Sequence, residues 1–82
     1  MNEKEILAAL TQVFHDVFDD DTIVLSPETT ADYIDGWDSQ THVLLIVAAE
    51  QRFGIKFRTA ELESLKNVGH FVQLIGSKLE GR

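Results

Sequence analysis

A chain of 82 residues with 7 Lys+Arg against 14 Asp+Glu has a net charge of −7, 44% hydrophobic residues and no Cys. That length supports one domain, residues 1–82, burying about 60–65% of its unfolded surface, and the apolar content suits a packed core rather than a disordered tail. The missing thiols exclude a disulfide framework and a cysteine nucleophile, and the acidity disfavours nucleic acid and anionic membranes as partners, pointing instead to basic protein surfaces.

The opening residues lack the basic and long apolar segments of a signal peptide. The longest apolar run, residues 43–49, is far short of the roughly 20 residues that span a bilayer. The reading is a cytoplasmic, soluble protein, and its acidic surface favours a monomer. Ile6, Leu7, Leu10, Val13, Phe14, Val17 and Phe18 recur at spacings of three and four, which predicts an amphipathic helix over residues 3–18. The run Asp19, Asp20, Asp21 ends it, since Asp competes for backbone hydrogen bonds. These carboxylates do not make a calcium loop: the required Gly at the sixth position and Glu at the twelfth are absent.

A long irregular stretch follows to Asp38, broken by Pro27, Thr29, Thr30 and Gly36. A loop of that length either packs its own apolar residues or carries function, and Ile23, Leu25, Tyr33, Ile34 and Trp37 are available for packing. Asp38 or Ser39 caps a second helix running to Phe53, with Gly54 placed to end it in the left-handed conformation. Residues 55–58 read as an extended connector. Thr59 is placed to cap a short helix through Leu65, and Asn67 to cap a last helix to Leu79 with Val68, Phe71, Val72, Leu74 and Ile75 inward. The fold expected is all-α: four helices, the third short, with no sheet.

Charge is distributed unevenly. Residues 5–51 contain no Lys or Arg but ten acidic side chains, while Arg52, Lys56, Arg58, Lys66 and Lys78 lie toward the other end. This anionic surface is either a solubilising face or a steering field for basic partners. Chemistry centres on Ser39, at the junction of the acidic loop and the second helix. The positive end of a helix and its free N–H groups suit a phosphate, and a hydroxyl there is reachable by another protein. Taken alone, the Asp38–Ser39 pair reads rather as a helix cap.

The wider pattern is more specific. Asp38–Ser39, Val43, Leu45–Ile46, Glu50, Phe53–Gly54–Ile55 and Asn67–Val68–Gly69 resemble the acyl carrier protein family, in which an Asp-Ser pair opens the second helix and Glu-x-x-Phe-Gly-Ile closes it. The match runs without a gap from Asp38 to about Ile75, and the first helix and loop fit as well. The resemblance implies that Ser39 bears 4′-phosphopantetheine, added by a phosphopantetheinyl transferase using coenzyme A and Mg²⁺, with Asp38 and Trp37 beside it. It also implies a non-catalytic carrier of acyl thioesters, and an arm that supplies the thiol this chain lacks. Trp37 either packs under the loop or covers the root of that arm.

Within the second helix three positions depart from the family's pattern, and Arg58, Thr59 and Ala60 depart from it around the end of the connector. Gln40 replaces its usual Leu, and Thr41 and Leu44 replace frequent acidic residues. The second helix therefore presents Gln40, Val43, Leu44 and Val47 as an uncharged strip, unless Leu44 and Val47 are buried. An apolar run that passes right round a helix leaves part of itself outward. This predicts a specialised carrier in a lipid or secondary-metabolite pathway, served by its own transferring or synthase enzymes with basic or apolar docking surfaces. The competing reading is an unmodified helical adaptor that binds a partner through the acidic loop and the second helix. A Ser39–His42 hydrolase is the weakest reading, since no oxyanion hole or orienting carboxylate is apparent. His42 reads as a surface residue near the arm, and His15 and His70 as surface or boundary residues.

Overall fold

The computed structural model describes residues 2–63 and 65–81. Helix α1 (Glu3–Phe18) opens on an Asn2 cap: Asn2 Oδ1 accepts from the Glu5 N–H, and Glu5 Oε1 accepts from the Asn2 N–H. It ends with Asp19 left-handed at φ 52°, so the Asp run stops the helix by adopting its C-cap geometry. Asp20 then folds back on Thr22, accepting from both its N–H and its hydroxyl. Helix α2 (Ser39–Phe53), the five-residue α3 (Thr59–Glu63) and α4 (Val68–Glu80) follow, and no strand forms among the described residues.

Helix α1 packs against α2 and α4. Its stripe of Ile6, Leu10, Val13 and Phe14 meets Leu45, Ile46, Ala49 and Phe53 of α2 and Val68, Phe71, Val72 and Ile75 of α4. Leu25 and Ile55 close the core from the connections. Leu74, expected inward, is only half-buried, because the inward face of α4 is already filled by Phe71, Val72 and Ile75. Glu50 caps the connector after Gly54 by accepting from the Phe57 N–H at 2.8 Å. Helix α3 buries no residue fully and is held from outside, by Lys78 Nζ on Glu61 at 2.8 Å and by Leu62 on the core. Thr59 is its first helical residue rather than its cap: Arg58 precedes it, and the Arg58 N–H donates to Glu61 Oε1. The stretch expected to extend this helix includes Ser64, outside the described residues, and Leu65 lies beyond the helix.

The long loop has one 3-10 turn (Ala31–Tyr33) and is otherwise irregular. Its docking onto α4 solves two problems at once. The first N–H groups of a helix have no partner within it. Here Val68 N–H donates to Thr29 O at 2.8 Å and Gly69 N–H to Pro27 O at 2.9 Å, while Asn67 Oδ1 takes His70 N–H. The loop carbonyls and the helix donors satisfy one another. Thr29 is buried there, its hydroxyl accepting from Ser26 N–H. Gly69 is required by closeness: an added Cβ would stand 3.0 Å from Pro27 O and 3.2 Å from Pro27 Cβ.

Substituting Gly69→Val should therefore destabilise the fold by about 1–3 kcal/mol despite replacing a helix-interior glycine, because the new side chain overpacks the loop backbone. Urea denaturation midpoints compared with wild type check this, and an unchanged midpoint would mean the loop moves aside freely.

Candidate functional site

Asp38, not Ser39, caps α2. Asp38 Oδ1 accepts from Gln40 N–H and Thr41 N–H, both at 3.0 Å. The bond from Thr41 N–H first, with the Thr41 hydroxyl and Gln40 N–H after it, holds the Asp38 carboxyl below the usual carboxylate range against the opposing effect of desolvation. Thr41 completes the cap from the other side. Its hydroxyl accepts from Asp38 N–H at 2.8 Å and donates to Gly36 O at 2.7 Å. Gly36 is left-handed at φ 86°, a conformation that side chains rarely adopt, so the turn delivering Asp38 depends on glycine. The role of Thr41 had a signal in the sequence: a residue with a side-chain acceptor three places after a capping Asp is a capping-box pattern.

Ser39 is thereby fixed as the first residue of α2 and is exposed. Its N–H and its hydroxyl have no partner among the described residues. In α4 the first three N–H groups are all taken, while in α2 the one left open belongs to Ser39.

Trp37 packs under the loop. It is half-buried and meets Phe14 edge-on, with ring centroids 5.1 Å apart at 82°, an arrangement worth about 0.5–1.5 kcal/mol beyond burial. Its indole N–H donates to His42 Nδ1 at 3.1 Å, and the two rings stack at 6.0 Å. His42, expected on the surface, is instead half-buried as the acceptor for Trp37. Since an indole nitrogen only donates, His42 is neutral with its proton on Nε2, and burial lowers its pKa below 6.5. Trp37, Asp38 and His42 line one side of a cleft of about 200 Å³, and Leu65, Lys66 and Phe71 the other. Lys66 and Leu65 were not read as site residues from the sequence, because only the fold brings the segment before α4 beside the start of α2.

Val43, Leu44 and Val47 are 60%, 56% and 45% exposed, and Gln40 is exposed with them. Leu45, Ile46 and Ala49 take the inward positions, so Leu44 and Val47 are not buried. Tyr33, counted among the loop's packing residues, is 77% exposed, whereas Leu25 is buried and Ile23 and Ile34 are half-buried. His15 Nε2 lies 2.8 Å from Ile23 O at the loop boundary, and His70 is exposed. Among the described residues no group of three His, Cys, Asp or Glu side chains is placed to hold a metal ion, and no helix is long and apolar enough to cross a membrane.

No family model matches the chain. The curated acyl carrier protein of Acidothermus cellulolyticus is 33% identical over 78 residues, which span 94% of this chain and 92% of that protein. The solution NMR structure of holo acyl carrier protein from Geobacter metallireducens matches with a TM-score of 0.87 at 52% identity, covering 92% of this chain and 86% of that one.

The burial of His42 predicts a pH dependence. With the folded pKa of His42 below its unfolded value of about 6.5, the unfolded chain takes the proton first. The stabilisation is fully present above 6.5 and is lost as pH falls through the folded pKa. His42→Gln keeps an acceptor but does not titrate, so its urea midpoint should fall less between pH 7.5 and 5.5 than that of wild type. Equal falls in the two proteins would disprove it.

Proposed function

Because this chain belongs to the acyl carrier protein family, we propose that Ser39 is its point of attachment for 4′-phosphopantetheine and that it serves a specialised pathway with dedicated enzymes. Members of the family are non-catalytic carriers that work with transferase and synthase enzymes, and the arm supplies the thiol on which acyl groups are held as thioesters.

The observation that carries the site reading is the state of Ser39. It is exposed at a helix start, its hydroxyl is uncommitted, and its own N–H is free to donate to a phosphodiester oxygen. Asp38 fixes the helix end by its two accepted bonds and so holds that hydroxyl in place. Trp37 anchors the approach to it through Phe14 and His42. The cleft beside Asp38 and His42 offers the near part of a cargo an apolar wall of Trp37 and Phe71.

Support for specialisation comes from α2. Partner enzymes that reach Ser39 meet the uncharged strip Gln40, Val43, Leu44 and Val47, while the carboxylates lie on the preceding loop. Apolar contact then supplies the grip, and the loop supplies steering toward basic surfaces. The chain acts in the cytoplasm as a monomer, its residues 1–82 working as one carrier domain.

Intact mass after incubation with coenzyme A, Mg²⁺ and a phosphopantetheinyl transferase should rise by one phosphopantetheine in wild type and not in Ser39→Ala. Failure with every transferase of the source organism would overturn the attachment and leave an unmodified adaptor. On the loaded protein, Leu44→Glu should weaken transfer by a dedicated partner on the order of tenfold. An unchanged rate would remove α2 as the specialised docking face.

A further inference from the structure

Two exposed apolar side chains take no part in helix packing or in the Ser39 site. Val24 is 85% exposed and Tyr33 77%. Val24 lies in the irregular stretch before the 3-10 turn, between half-buried Ile23 and buried Leu25, and is turned outward. Tyr33 closes the 3-10 turn. Together with Ile34 they line two adjoining hollows of about 330 and 290 Å³. Phe18 and Ile23 add apolar wall to the first, and Asp20 and Asp35 also line it; Glu28 lines the second. Val24 forms no hydrogen bond among the described residues, which leaves its backbone N–H and C=O open to an extended neighbour.

The chemistry around this groove selects its occupant. Residues 5–51 supply no Lys or Arg, so no cation from this stretch offsets the three carboxylates. The bond from the Thr22 hydroxyl holds the Asp20 carboxyl below the usual carboxylate range. A purely apolar occupant would gain nothing from these charges, and an acidic one would be repelled. We propose that the groove of Val24, Tyr33 and Ile34 is a second docking face, taking an extended segment of a partner protein. That segment sets an aromatic or aliphatic side chain between Val24 and Tyr33 and Lys or Arg against Asp20, Glu28 and Asp35. The face shares no residue with the strip Gln40, Val43, Leu44 and Val47, and does not require Ser39 to be modified. Its failure and that of the carrier reading are therefore separable.

The test is an NMR amide titration of the full chain with the peptide acetyl-Lys-Lys-Phe-Leu-Lys-Arg-amide and with its matched form carrying Asp at every basic position. The basic peptide should shift Val24, Tyr33 and Ile34, and binding should weaken as salt is raised. Val24→Ser and Tyr33→Ser, both exposed and checked for folding by circular dichroism, should each weaken it about tenfold or more, and Leu44→Glu should not weaken it. The proposal is overturned by an absence of shifts, by shifts centred on Val43, Leu44 and Val47, or by equal binding of the acidic peptide. Indifference to both serine variants overturns it as well. So does self-association through Val24 and Tyr33 without peptide, which would assign the face to a second copy of this chain.

Discussion

The position of Ser39 depends on a loop being pinned to a helix it does not lead into. Val68 and Gly69 donate their N–H groups to Thr29 and Pro27, so the first turn of α4 holds the middle of the long loop in place. Each side meets a need of the other: helix starts leave donors unpaired, and an irregular loop leaves carbonyls unpaired. Few other partners could satisfy both without adding secondary structure. Downstream of this pin the chain passes through the 3-10 turn and the left-handed Gly36 to reach Asp38.

A second chain of contacts ties the same junction to the core. Phe14 is fully buried in α1, Trp37 stands edge-on to it, and Trp37 donates to His42 on α2. The loop, α1 and the first turn of α2 are thus joined through one indole. Below that join the Asp38–Thr41 cap consumes two of the first N–H groups of α2 and leaves the donor and hydroxyl of Ser39 to solvent. Ser39 is exposed with its side chain uncommitted, which leaves its hydroxyl reachable by another protein.

Charge and apolar surface are divided in an unusual way. Seven of the fourteen carboxylates lie within residues 19–38, while the exposed large apolar side chains of α2 are Val43, Leu44 and Val47, a separation of charge from apolar surface. Salt screens the first and leaves the second largely intact. Partners of this carrier are expected to differ in how far each depends on ionic strength.

The helices were legible from spacing because a 3.6-residue repeat needs no knowledge of neighbours. The stripe from Ile6 to Phe18, the cap at Asn67 and the left-handed Gly54 are local facts, and the structure places them where the sequence does. Family resemblance rested on the same local signals, in the run from Asp38–Ser39 to Phe53–Gly54–Ile55. Position within the fold was not legible. Tyr33 and Leu25 are both loop apolar residues, yet one is exposed and the other buried, and that is decided by which way the pinned loop turns. His42 reads as a surface residue until Trp37, five positions earlier, folds back to meet it. Leu65 and Lys66 join the site only because α4 packs beside α1 and brings their segment to the start of α2. Local backbone preference thus fixes the elements and the place of Ser39 at the start of α2, whereas the cleft, the proton state of His42 and the exposed loop groove arise from burial, which no residue possesses until the others are packed around it.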